Sequence, residues 1–207
     1  MEEQRDDLSA TEARHSGDRV LDSGALRALA HPLRVRMYDI LSQYGPQTAS
    51  SLAEMTGESS GSTSYHLRAL AKHDLIRERA DQGTGRERWW ERPEGGVSFA
   101  NPEALATPAG RAASQIVMTE FLRGRNEQLM DFVNRGFEGL DEFWQDGTLI
   151  STATTRLTPE QSKELQLKIM ALIDDAVDTY RNQTGENVRP VSIRADVFPL
   201  PELGEKS

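Results

Sequence analysis

Residues 48–92, TASSLAEMTGESSGSTSYHLRALAKHDLIRERADQGTGRERWWER, hold two short amphipathic segments, a turn and two strand-like runs in close succession. Thr48 stands ahead of Ala49, Leu52 and Ala53, which recur at helical spacing, and its hydroxyl can cap the free N–H groups of the opening turn. Gly57 stops that helix. Ser59 and Ser60 then offer hydroxyls to cap a second helix, expected over residues 60–73, in which Thr63, Leu67 and Leu70 fall at i, i+4 and i+7 and form the stripe to be buried. The opposite side carries Gly61, Ser62, Ser64, Tyr65 and Arg68, which are small or hydrogen-bonding, with no bulky acid among them. After His73 and Asp74 come LIRERA, the Gly-bearing loop DQGTG and RERWWER, two strand-like runs joined by a tight turn that predict a hairpin.

Two helices, a turn and a basic hairpin outline a winged helix-turn-helix. The polar side of the second helix suits base edges in a major groove. Arg86 and Arg88, two residues apart, are expected on one face of their strand, placed for phosphates or the minor groove. Trp89 and Trp90 are adjacent on that strand and so face opposite ways, with core packing the favoured reading for both.

LRALAHPLRVRMYDIL at residues 26–41, followed by SLAEMTG, SYHLRALAKHDLI and RERWW, resembles the ArsR-like winged-helix transcription regulators, particularly the actinobacterial type, over roughly a third of the chain. In that family the helix bearing the S-x-H-L run enters the major groove and the protein acts as a dimer. The resemblance therefore implies those roles for Ser64, Tyr65, His66 and their neighbours. The expected DNA-binding set is Ser60, Gly61, Ser62, Ser64, Tyr65, His66, Arg68 and Lys72 on the helix, with Arg86 and Arg88 on the wing. Metal-sensing members use cysteine thiolates, and this chain has no cysteine, which excludes a soft-metal thiolate site.

Charge is unevenly divided. The net charge is −9, yet residues 24–93 hold 10 Lys and Arg against 8 Asp and Glu, whereas residues 1–23 hold 3 against 7 and residues 94–207 hold 11 against 18. Phosphate contact depends on local placement, and Arg68, Lys72, Arg77, Arg79, Arg86 and Arg88 cluster in the second helix and the wing. The acidic remainder would repel a duplex and favour one docking orientation.

Three stretches are expected: a disordered acidic tail at 1–22, the winged helix-turn-helix at 23–94, and a dimerisation and effector-sensing region at 95–207. Within the second, residues 26–41 form one or two helices, with a break near His31-Pro32 that places Pro32 in a first turn; Val35, Tyr38 and Leu41 face the core. In the third, Asn101-Pro102 and Thr107-Pro108 are successive helix starts. A long helix follows, its apolar positions running from Ala109 through Val117, Leu122 and Leu129 to Val133, near Gly136; at ~1.5 Å per residue it is a rod of roughly 40 Å that seldom stands alone. TLISTATTRL at 148–157 alternates and is rich in β-branched residues, predicting a strand. Thr158, Pro159 and Gln161 open a further helix as cap, first position and capping-box partner. VSIRADVFPL at 191–200 alternates again. The fold class expected is thus mainly α with small β (α+β), ending in a strand-helix-strand module whose strands cover the long helix or pair across a dimer.

No run nears the ~20 apolar residues needed to cross a bilayer, and the acidic N-terminus lacks a secretory h-region, so the expected place is the cytoplasm, without membrane contact. No phosphate loop, Ser-His-Asp arrangement or His pair with a ligand carboxylate is legible, so no enzyme, cofactor or metal is expected; His66 and His73 share a helical side without a third ligand. Asp174, Asp175 and Asp178 lie on the polar side of an amphipathic helix, an ordinary solvated face. The reading is a homodimeric, sequence-specific regulator that binds double-stranded DNA. Two others stand beside it: a winged-helix module that binds protein, and a sensor whose C-terminal strands close over a small-molecule effector.

Overall fold

The computed structural model describes residues 19–79, 87–99, 101–136 and 140–201, which fall into two units divided between Leu149 and Ile150. The first unit is a mainly helical α+β body, and its first element is a short strand, β1 (Arg19–Val20). Helix α1 (Ser23–Leu29) follows, capped by the Asp22 carboxylate, which accepts from the Ala25 N–H at 2.7 Å. His31 is extended because the residue before a proline is pushed out of the helical region, and Pro32 then opens α2 (Pro32–Tyr44). Val35, Tyr38 and Leu41 are buried as their spacing predicts.

Thr48 serves two elements. It ends β2 (Gln47–Thr48) and caps α3 (Ala49–Thr56), exchanging hydrogen bonds with Ser51 in a capping box. Gly57, left-handed at φ 76°, turns the chain, and Ser59 caps α4 (Ser60–Ala71) by accepting from the Ser62 N–H. The buried stripe of α4 is Thr63, Leu67 and Leu70, as its spacing predicts. The Thr63 hydroxyl, fully buried, donates to the Ala49 carbonyl at 2.7 Å and ties α4 to the first turn of α3. Asp74 takes a left-handed φ of 52°, tolerable for a short polar side chain, and redirects the chain into β3 (Arg77–Arg79).

β3 and β4 (Trp89–Glu91) pair antiparallel as the two arms of the predicted hairpin, with Arg77 opposite Glu91 and Arg79 opposite Trp89, while the expected tight turn at DQGTG lies outside the described residues. On its other edge β4 pairs antiparallel with β2, giving a three-stranded sheet in the order β2-β4-β3. Trp90 on the central strand is buried, while Trp89 is half-buried. β5 (Val97–Ser98) pairs in parallel with β1. Residues 19–22, expected within the tail, are built into this unit, and the rest of that stretch lies outside the described residues: Leu21 is fully buried, its N–H donates to the Ser98 carbonyl, and Arg19 donates to the carbonyls of His73 and Asp74. The partner strand lies nearly eighty residues away, so local composition shows only an acidic flank.

Asn101 and Thr107 cap α5 (Pro102–Leu105) and α6 (Pro108–Arg135), the two starts predicted from Asn-Pro and Thr-Pro. Gly110 is required at the α5–α6 junction, because a Cβ there would stand 2.0 Å from the Ala104 carbonyl oxygen. α6 runs 28 residues and packs on α1, α2 and α5 through Gly110, Ala113 and Val117. Phe121 meets the Tyr38 ring edge-on at 6.3 Å, and the Arg92 guanidinium lies 5.6 Å from the centre of that ring. A short α7 (Glu142–Asp146) completes the described part of this unit.

The second unit carries α8 (Pro159–Tyr180), opened by the expected Thr158–Gln161 capping box. Its strands are a correction: residues 148–157 and 191–200 form no strand. Alternation specifies only which side each residue faces, and a strand needs a neighbour to complete its hydrogen bonds. No residue of α8 is buried; Leu172 is 73% exposed.

Candidate nucleic-acid interface

The turn between α3 and α4 fixes what α4 presents. With Thr63, Leu67 and Leu70 sealed against the core, helical geometry turns the opposite stripe outward, where Ser60, Gly61, Tyr65, Arg68 and Lys72 are exposed. Tyr65 keeps 65% of its surface open, a large exposure for an aromatic on a packed helix. Gly61 has open space about it, its nearest neighbour being the Ser59 hydroxyl. Ser62 and Ser64 are half-buried at the margins of this stripe, and the Ser64 carbonyl accepts from Arg68 Nε at 3.0 Å. That bond holds the Arg68 side chain along the helix, and Arg68 stays exposed.

His66 behaves differently from its neighbours. Its ring lies 4.6 Å from the ring of His31, centre to centre, and 5.2 Å from Tyr65. The imidazole thus faces the α1–α2 turn at the side of the helix. Among the described residues, the buried His66 Nδ1 and His31 Nδ1 have no hydrogen-bond partner. Burial holds both imidazoles below the usual histidine range; Arg34 pushes each further down, Glu58 opposes, and for His66 the His31 ring adds to the depression. Both rings are therefore held neutral.

The wing is less free than its sequence implied. Arg77 is bound to Glu91 at 2.7 Å, Arg79 reaches the same carboxylate at 3.8 Å, and Arg88 pairs with Glu78 at 3.4 Å. Arg88 precedes β4 and is well exposed. Arg86 lies outside the described residues.

Two cations escaped the sequence reading. Arg27 on α1 and Arg34 on α2 line one cleft with Arg68 and Lys72 of α4. They sit on separate helices joined at His31-Pro32, so no single periodicity connects them to α4. Among the described residues, no three His, Asp or Glu side chains gather at metal-binding distance, and no helix is long and apolar enough to cross a membrane.

Residues 29–79, from the end of α1 to the end of β3, match the model of a family described as a helix-turn-helix domain. No curated protein sequence matches the chain. The crystal structure of the adhesin competence repressor AdcR from Streptococcus pyogenes is similar at 15% identity, covering 87% of this chain and 95% of that one, with a TM-score of 0.29.

Proposed function

We propose that this protein is a homodimeric, sequence-specific DNA-binding transcription regulator, not an enzyme, of the ArsR-like winged-helix kind. The observation that carries the reading is the exposed stripe Gly61, Tyr65, Arg68 and Lys72 on the second helix of a matched helix-turn-helix domain, opposite a fully sealed stripe. A helix so mounted enters a major groove with its first turns toward base edges. Ser60, Gly61, Ser62, Ser64 and Tyr65 read bases in this arrangement, Arg68 and Lys72 meet the backbone, and His66 supports Tyr65 from the side. Arg88 and Arg86 contact phosphate or the minor groove from the wing.

Homodimerisation is supported by α6. Its inner side is buried in the core, while Met118, Leu122 and Val133 remain exposed and, with half-buried Leu129, repeat at spacings of four, seven and four. Residues 95–207 are assigned to this assembly. A mobility shift against genomic fragments over a salt series tests the function: binding at low salt that weakens steeply as salt rises is expected. A chain that shifts no fragment at low salt is not a DNA reader. Tyr65→Ala or Ser62→Ala then separates reading from mere attachment, since loss of a base contact reduces discrimination between sequences by about 1–3 kcal/mol. Equal weakening on selected and random duplexes would remove that residue from base recognition.

A further inference from the structure

A cleft of about 510 Å³ is walled by α1, α2 and the later turns of α4. Arg27, Arg34, Arg68, Lys72 and His73 line it, with Tyr65, and no carboxylate does. Among the described residues none of the four permanent cations is paired with an acid. Asp22, close to His73, is committed to capping α1. Arg34 is partly desolvated, and its buried Nε has no hydrogen-bond partner among the described residues. Like charges brought together on three helices without a counter-ion repel one another, and an anion seated among them relieves that repulsion.

We propose that this cleft seats a backbone phosphate of the duplex that α4 reads, with Arg27 and Arg34 closing on the strand from the two preceding helices. The inference rests on the DNA-reading function above and extends its footprint to α1 and α2. Its geometry follows from α4. Gly61, Tyr65, Arg68 and Lys72 stand at i, i+4, i+7 and i+11, one continuous stripe that runs from the open first turn into the cleft. At ~1.5 Å per residue, Arg68 and Lys72 lie roughly 10 and 16 Å along the axis from Gly61. A major groove is about 12 Å wide, so a duplex whose base edges meet the first turns carries its bordering phosphates to the level of the cleft. A guanidinium presents a planar fork of donors to phosphate oxygens, which suits Arg27 and Arg34 to that position.

The test is a salt series of anisotropy titrations with a random-sequence duplex, using the full chain, Arg27→Ala and Arg34→Gln. Each lost phosphate contact is expected to make log K against log salt shallower by about 0.9, removing about a 3.5-fold share of the affinity drop between about 50 and 200 mM. Arg27 is exposed, so its variant keeps the fold even where Arg34→Gln lowers the thermal midpoint. Unchanged slopes in both variants, with salt-dependent binding by the parent chain, overturn the phosphate seat and leave the DNA reader standing. A parent chain that binds no duplex at low salt overturns both. A third arm adds pyrophosphate alone. If it raises the thermal midpoint of the parent chain but not of Arg34→Gln, while duplex slopes stay unchanged, the cleft takes a small free anion and the backbone assignment fails.

Discussion

Thr63 couples the two helices on which the proposed recognition depends. Its fully buried hydroxyl reaches the Ala49 carbonyl at 2.7 Å, so the pitch of α4 against α3 is held by a hydrogen bond as well as by Leu67 and Leu70. Thr63→Val keeps the shape and removes the donor. The expected cost is about 1 kcal/mol, seen as a lower urea midpoint at unchanged m-value. A midpoint equal to the parent's would show that packing alone sets the helix pair. His31 and His66 supply a second prediction at this scale. Both are held neutral by burial, so their folded pKa lies below the unfolded value of about 6.5. Between those values the unfolded chain binds more protons, and stability rises with pH. It is therefore intact above about pH 6.5 and declines as the pH falls toward the folded pKa. Thermal midpoints measured from neutral to mildly acid pH should fall less in His31→Gln/His66→Gln than in the parent; parallel curves would assign the acid sensitivity to other groups.

Elements whose signals are local were legible in the sequence. Thr107-Pro108 and Gly136 bracket α6, and Thr158, Pro159 and Gln161 open α8, because a cap and a fixed proline φ act within one turn. Pairing is not local. Arg19–Val20 becomes a strand only because Val97–Ser98 lies alongside, and the alternating residues 148–157 remain unpaired for want of such a neighbour. The site divides in the same way. The outward stripe of α4 follows from helical spacing, whereas the turn of His66 toward His31 and the meeting of Arg27 and Arg34 with Lys72 arise from packing between elements. So do the ion pairs of the wing. Arg88, just ahead of β4, reaches the Glu78 carboxylate of β3 at 3.4 Å, so the charge of the wing is part-neutralised. An exposed pair of this kind is worth about 0.2–1 kcal/mol. Glu78→Gln should release Arg88 and tighten binding to random duplex by up to about fivefold, with a steeper salt slope. Arg88→Ala should weaken it. If Glu78→Gln leaves both affinity and slope unchanged, Arg88 has no part in the phosphate contacts.

At the scale of the whole molecule, the proposed homodimer needs a surface by which two copies join. α6 offers a seam. Ala113, Val117 and Phe121 turn inward to the core, whereas Met118, Leu122, Leu129 and Val133 fall along a separate stripe of the same helix. Spacings of four, seven and four keep that stripe on one side for more than four turns, the pattern by which two long helices pack against each other. Leu122 is 45% exposed, so Leu122→Glu leaves the core of one chain intact while placing a charge in the proposed seam. The variant should sediment as a monomer under conditions where the parent is a dimer, with a thermal midpoint that no longer rises with protein concentration. Its affinity for a two-half-site duplex should drop by about 10²–10⁴-fold, the avidity lost when two readers are no longer linked, while binding to a single half-site changes little. A Leu122→Glu/Val133→Glu protein that stays dimeric would move the seam off α6. A monomeric variant that retains full affinity for the paired site would instead separate recognition from assembly, because one α4 helix would then supply the whole of the binding energy.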